Sequence, residues 1–308
     1  MSIDPFGLIV LNKPAGISSR DALNRVQRLA RPHKVGHAGT LDPIATGVLI
    51  VTVGKATRLT SYIHAWSKRY RGTFLLGRSS NTDDVEGEVI VDAAACHVTR
   101  EDLEQVAPAF VGSIEQRPSA FSAIKIKGQR AYKLARAGQA VEVPLRTVQI
   151  DALKVTRFDY PEFEIAVECG TGTYIRSVGR DLATAAGSSA VMSALARESI
   201  GPFKIDNAVA PDDLTAENWK EFLQPAALAT RDLPSVVLTA SEHKRLEFAL
   251  PLDIATDRWI NPPHITTTDA QRLLPNQLAA LGVNGELLAI LTPRHNGQFH
   301  PACNFIGK

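Results

Sequence analysis

Cysteine is scarce in this 308-residue chain. Cys96, Cys169 and Cys303 stand far apart, and no pair has metal-ligand or redox-motif spacing. An odd, scattered set argues against a disulfide framework and for a reducing compartment, here the cytoplasm. The eight histidines form no zinc-like cluster with the cysteines, so no structural metal is expected. No apolar run approaches the roughly 20 residues that span a bilayer. The N-terminal MSIDPFGLIVLNKP lacks a basic region before its short apolar run and reads as a strand, not a signal peptide. A phosphate loop of the GxxxxGK type is missing, as are a readable Ser–His–Asp spacing, internal repeats and low-complexity tracts. What remains is an ordinary globular composition, 44% hydrophobic and 21% charged, long enough for a domain of about 230 residues plus a small one.

Net charge is only +2, but it is unevenly spread. Residues 1–80 hold 12 Lys/Arg against 3 Asp/Glu, a net of +9; residues 81–116 hold 1 against 9, a net of −8. Arg117 to Arg136 carries six basic residues and no acidic one. Such a distribution suits a phosphate-bearing ligand that touches two basic segments. It equally suits a solvated surface whose signs happen to cluster.

The pattern of elements is mixed. Phe6–Leu11 reads as a strand. Ser18 with Asp21 marks a helix start, followed by Ala22, Leu23, Val26, Leu29 and Ala30 at helical period. Val35–Pro43 reads as a glycine-punctuated loop, Gly47–Val53 as a buried strand, Ala56–Trp66 as a helix and Arg69–Leu76 as a strand. Asn81–Gly87 is an acidic turn, with Glu88–Val91 as the hairpin partner of the preceding strand. Thr99 and Asp102 cap a helix over Leu103–Phe110, and Tyr132–Arg136 is helical. Strands follow at Thr147–Phe158 and Phe163–Cys169, and a helix at Gly172–Ala186. Pro211–Pro234 reads as a helix and a linker. Short apolar runs such as Leu287–Leu291 between Pro, Asn and Gly turns indicate a strand-rich C-terminal unit. Strands and helices without strict alternation predict an α+β fold.

The segment Gly36-His37-Ala38-Gly39-Thr40-Leu41-Asp42-Pro43-Ile44-Ala45-Thr46-Gly47 stands out. Its glycines permit close approaches, and Pro43 holds Asp42 towards an extended conformation. A carboxylate presented from a stiff turn is one reading. An ordinary turn or cap aspartate is the other, and no second carboxylate lies nearby in sequence for paired acid/base work.

The string G-H-A-G-T-L-D-P-x-A-T-G-V-L closely resembles the signature of the stand-alone bacterial tRNA pseudouridine-55 synthases, the TruB-type family. The resemblance continues in order. Lys13-Pro14-Ala15-Gly16 precedes the signature; Gly54-Lys55-Ala56-Thr57-Arg58 and Lys68-Arg69-Tyr70 with Leu76-Gly77 follow it. Then come Gln116-Arg117-Pro118 through Ser122-Ala123, Lys125 and Gly128; Gly172-Thr173-Tyr174-Ile175-Arg176-Ser177; and Leu195, Arg197, Gly201 and Phe203. Together these blocks span residues 8–203. The resemblance implies a pseudouridine-synthase fold, with a mixed, mainly antiparallel central sheet and flanking helices. It places the catalytic domain at 1–232, with an RNA-gripping insertion at about 116–140, and a small PUA-like RNA-binding domain at 233–308.

The same resemblance implies the site. Asp42 would be the nucleophile. Arg176 would hold its carboxylate by two hydrogen bonds and keep it ionised. Tyr70 would stack on uracil and accept or relay a proton. Tyr174 and Leu195 would line the uridine pocket, and His37 would fill the space a flipped base leaves. Lys125, Lys127 and Arg130, with Tyr132 among them, would grip phosphates. Lys13 would support the floor of the site or a phosphate. The substrate implied is the tRNA T stem-loop, with no cofactor, no membrane and no obligate protein partner, in a monomer. The chain departs from the family pattern at Ser80, Asn81 and Phe121. Two other readings are a guide-RNA-dependent pseudouridine synthase, which generally lacks the gripping insertion, and a tRNA-binding or tRNA-folding chaperone that retains the fold.

Overall fold

The computed structural model describes residues 5–92, 95–122, 124–126, 128–139, 141–260, 276–294 and 297–306. In chain order the first half holds β1 (Gly7–Lys13), α1 (Ser19–Leu29), β2 (Val35–Ala38), β3 (Thr46–Val53), α2 (Thr60–His64), β4 (Lys68–Leu76), β5 (Arg78–Ser80), β6 (Val89–Val91), α3 (Arg100–Val106), β7 (Gly112–Gln116), β8 (Lys125–Ile126), β9 (Gln129–Arg130) and α4 (Ala131–Arg136). The second half holds β10 (Arg146–Asp159), β11 (Glu162–Cys169), α5 (Ile175–Ala185), β12 (Ala190–Ile200), β13 (Phe203–Lys204), β14 (Gln224–Pro225), β15 (Ser235–Val237), α6 (Ala240–Glu247), β16 (Leu278–Leu281), β17 (Leu287–Pro293) and β18 (Phe299–Asn304). No helix among the described residues is long and apolar enough to cross a membrane.

One large sheet runs β14-β1-β3-β12-β4-β11-β10-β7, with β2 beside β3 and β13 beside β12. Its pairings are antiparallel except for β12 against β3. The expected mixed, mainly antiparallel sheet is therefore present. β3 is buried along Gly47–Val53, as a strand covered on both faces must be. α1 begins where Ser18 and Asp21 satisfy each other's backbone N–H groups, and it buries Ala22, Leu23 and Val26. One core lies between this face and the helices, with Leu23, Val26, Phe74, Ile175, Val178 and Leu182 in it. A second core joins Ile50, Leu59, Ile63 and Trp66 to Ala279, Leu287, Ile290 and Phe305 of the C-terminal sheet, β15-β16-β17-β18.

Several elements differ from the sequence expectation. Val35–Ala38 is strand β2, not loop, because it pairs with Ile50–Val53. Ala56–Trp66 divides into a 3-10 turn, Gly54–Leu59, and the short α2. β6 pairs with β5, not with β4, because Gly77 turns the chain with φ +66 after Leu76. α5 starts at Ile175, since Gly172 has φ +86 and Tyr174 is extended. Pro211–Pro234 is a series of 3-10 turns, at Pro211–Asp213, Trp219–Phe222 and Ala226–Thr230, plus β14, which extends the large sheet. β12, for which the sequence pattern gives no expectation, carries two bulges and a buried arginine, which together break its alternation.

Candidate active site

The loop after β2 carries Asp42, and its backbone is held by side chains from four other elements. The hydroxyl of Ser19, in the first turn of α1, accepts from Leu41 N at 2.7 Å and donates to Leu41 O at 2.9 Å. Arg197 of β12 donates to Gly39 O at 3.0 Å and to Val48 O at 2.7 Å. Gly39 N donates to Nε2 of His64 at 3.0 Å. Beneath the loop, Lys13 is fully buried, and its ammonium donates to Pro14 O, Ile17 O and Pro43 O. Three carbonyls take its three protons. The ammonium thus ties the end of β1 to the backbone on both sides of the loop. Burial lowers its pKa to about 8 against the opposing pull of Asp42.

β3 follows immediately. Gly47, at φ +99, lies against the β12 backbone: a Cβ there would sit 2.2 Å from Arg197 O. Only glycine lets β3 and β12 meet at this point, directly behind the loop. On the opposite side, α5 packs on β4 so closely that a Cβ on Gly179 would meet the Phe74 ring at 2.0 Å. That approach brings Arg176, in the first turn of α5 and 5% exposed, to the carboxylate: its Nη2 is 3.1 Å from Asp42 Oδ2.

Arg176 does not clasp Asp42 with both arms. Its Nη1 donates to Asp84 Oδ2 at 3.0 Å and to Thr82 O at 2.7 Å. Asp84, 2% exposed, also accepts from Thr82 Oγ1 and Glu86 N. The guanidinium is shared between two carboxylates 42 positions apart in sequence. The second carboxylate that sequence proximity failed to show comes from the acidic turn. The electrostatic expectation for Asp42 changes accordingly. Lost hydration is the largest effect and raises its pKa above 3.8; Asp84 raises it further, and Arg176 and Lys13 oppose without cancelling. A third of the side chain remains open to solvent, which moderates the push.

Asp42, Tyr70, Tyr174, Arg176 and Leu195 border one cavity of about 250 Å³. Tyr70, near the start of β4, is half-buried there, and lost hydration pushes its phenol above 10. Arg197 stands 3.5 Å from its hydroxyl and 6.0 Å from its ring centre. Tyr174 is fixed by its backbone, its N–H and C=O both bonded to the Gln116 side chain. A second cavity of about 880 Å³ shares Asp42, Ser122 and Arg176 with the first and adds Arg20, His37, Phe121, Arg130 and Tyr132. His37 is neutral at pH 7, its pKa lowered by burial and by Arg20 and Arg197; its Nδ1 is buried without a partner. Lys125 lies in the β8–β9 hairpin beside Arg130, and Lys127 lies outside the described residues. Sequence reasoning missed Ser19, Lys68, Asp84 and Arg197 as members of the site. Arg197 and Lys68 had a signal, since they sit in the matched motifs, and Asp84, beside the departures at Ser80 and Asn81, keeps the residue the resemblance implies; Ser19 had only its position near a turn.

The profile described as "TruB family pseudouridylate synthase (N terminal domain)" matches residues 27–175. Among curated proteins, "tRNA pseudouridine synthase B" of Paenarthrobacter aurescens (strain TC1) is 39% identical over 291 residues, 92% of this chain and 90% of the relative. The protein of the same name from Thermobifida fusca (strain YX) is 42% identical over 248 residues, 78% of this chain and 84% of the relative. Among solved structures, "Crystal Structure of a Cbf5-Nop10-Gar1 Complex" superposes with TM-score 0.67 at 25% identity, covering 94% of this chain and 78% of that one. "Structure of H/ACA RNP bound to a substrate RNA containing 2'-deoxyuridine" gives the same TM-score and coverage at 24% identity and shows likeness of fold. The large sheet, its helices and the strand-rich C-terminal sheet are thus those of the pseudouridine-synthase fold with its PUA-like appendage, and the chain belongs to the TruB family of pseudouridylate synthases.

Proposed function

We propose that the protein isomerises the T-loop uridine at position 55 of tRNA to pseudouridine, with Asp42 as nucleophile. The observation that carries this is the Asp42 carboxylate at the junction of a small cavity and a large one, 3.1 Å from a buried guanidinium. A cavity of about 250 Å³ admits one base, not a folded loop, so the uridine must leave its stack to enter. The larger cavity, with Arg20, Arg130 and Tyr132 on its walls, suits the RNA around that nucleotide. A neutral His37 there suits stacking in the place the base vacates.

In the reaction the N1–C1′ bond breaks and a C5–C1′ bond forms; N1 gains a proton and C5 loses one. Substrate and product are isomers, so no redox partner or group donor enters the balance. Asp42 supplies a carboxylate that attacks and then leaves. Arg176 stabilises its ionised form and holds its direction. Tyr70, protonated at neutral pH, supplies a ring against the base and a hydroxyl that donates. The two relatives above, named for tRNA, are 39% and 42% identical, and the 25%-identical neighbour is a complex with other proteins. That contrast, with the basic 116–140 segment, favours action without a guide RNA.

The test is incubation of the purified chain alone with an unmodified tRNA transcript, followed by base-resolved mapping of pseudouridine. Product at the T-loop uridine is expected, and none from Asp42→Asn. Product that requires an added guide RNA would end the stand-alone reading.

A further inference from the structure

We propose that His64 is a positioning residue for the Asp42 loop, and that it lets go of the loop when its ring takes up a proton. The proposal rests on the reading of Asp42 as the reacting carboxylate.

Gly39 N–H, three residues before Asp42, can only donate, and its acceptor is Nε2 of His64 at 3.0 Å. Nε2 must therefore keep its lone pair, which leaves the ring neutral with its proton on Nδ1. On protonation both ring nitrogens become donors, and an N–H faces an N–H. The clamp at Gly39 N is then lost, while Arg197 still holds Gly39 O and Ser19 still holds Leu41.

His64 is built for this position. It is the last residue of α2, and Lys68 of β4 donates to its carbonyl, which ties the helix end to the strand that carries Tyr70. The residue is partly open to solvent, so protons reach its ring. The charged groups that act on its ring are Lys68 from β4 and Arg197 from β12, both cations. From β2 it faces His37, itself held neutral. In the turn Gly54–Leu59 the cations Lys55 and Arg58 reach Phe305 O and Asn304 O. The turn Ala226–Thr230, also packed on α2, has no ionisable side chain. Lost hydration and the two cations hold the His64 pKa below 6.5, so the clamp is closed at neutral pH and opens below it.

Steady-state kinetics of the full-length protein on tRNA transcript between pH 5 and 8.5 test this, with Asp42→Asn alongside. Leucine at position 64 cannot accept a hydrogen bond; glutamine can, at every pH. His64→Leu is expected to lower kcat about 3- to 10-fold at pH 8, the worth of one hydrogen bond, with the KM for tRNA unchanged. His64→Gln is expected to restore most of that loss and to move the acid-side fall of kcat to lower pH. A His64→Gln profile superimposed on the wild type, or a His64→Leu effect confined to KM, would overturn the proposal. If His64→Leu fails to fold, the His64→Gln profile decides alone. Activity in Asp42→Asn would instead remove the reading of Asp42 on which the proposal stands.

Discussion

At the scale of single residues, the site works against the stability of its own host. Asp42 has a folded pKa raised above its unfolded value of 3.8, chiefly by lost hydration. Between those two values the folded chain binds more protons than the unfolded one, so stability falls as pH rises through the window. At neutral pH the ionised carboxylate is a net cost. Asp42→Asn is therefore expected to lose activity by on the order of a thousandfold or more and to melt no lower than the wild type at pH 7. The difference in melting temperature should shrink as pH falls and Asp42 protonates; melting curves from pH 4 to 8 show it. Asp84 gives a second prediction of known sign. Its charge raises the pKa of Asp42, so removing it lowers that pKa. Asp84→Asn should lower kcat, because Arg176 loses a buried partner at 3.0 Å, and should move the Asp42-dependent acid limb of kcat to lower pH. An acid limb that stays in place, or moves upward, would contradict the shared-guanidinium picture.

At the scale of elements, the loop is positioned by backbone anchors, and these were hardest to foresee. The Ser19 hydroxyl serves a buried N–H and a buried C=O of Leu41 at once. Ser19→Ala leaves both without that partner and should cost about 1–3 kcal/mol, measured by chemical denaturation, with an accompanying fall in kcat. From sequence, Ser18 and Asp21 announced the start of α1, because a capping box is a local pattern. Ser19, one residue on, gave no sign of holding a loop 22 positions away. The same division runs through the fold. β3 and β11 were legible from apolar runs and alternation, since neighbours in sequence carry that signal. β12 was not, because its bulges and buried Arg197 serve contacts with β3 and β4 from distant parts of the chain. Asp42 and Arg176 were legible through motif resemblance; the division of Arg176 between Asp42 and Asp84 depends on how closely α5 packs on β4, which no spacing encodes.

At the scale of the whole molecule, the C-terminal sheet is more than a tethered appendage. Leu59, Ile63 and Trp66, within and on either side of α2, share one apolar cluster with Ala279, Leu287, Ile290 and Phe305. Phe305, 6% exposed, stacks on Phe6 at 4.9 Å between ring centres, just before β1. Lys55 and Arg58, in the turn before α2, donate to the carbonyls of Phe305 and Asn304, and Tyr62 within α2 donates to Gln277. A shared core of this kind couples the unfolding of the two sheets, because neither can open without exposing the other's apolar face. Phe305→Ala should therefore destabilise the entire chain by about 3 kcal/mol and lower the melting temperature by roughly 5 °C, with one cooperative transition. Tryptophan fluorescence, which follows Trp66 in the shared core and Trp219 in the other, and far-UV circular dichroism should give coincident curves. Two separated transitions, with only the earlier one moved by Phe305→Ala, would mean that the C-terminal sheet folds independently and that α2 draws its rigidity from the large sheet alone.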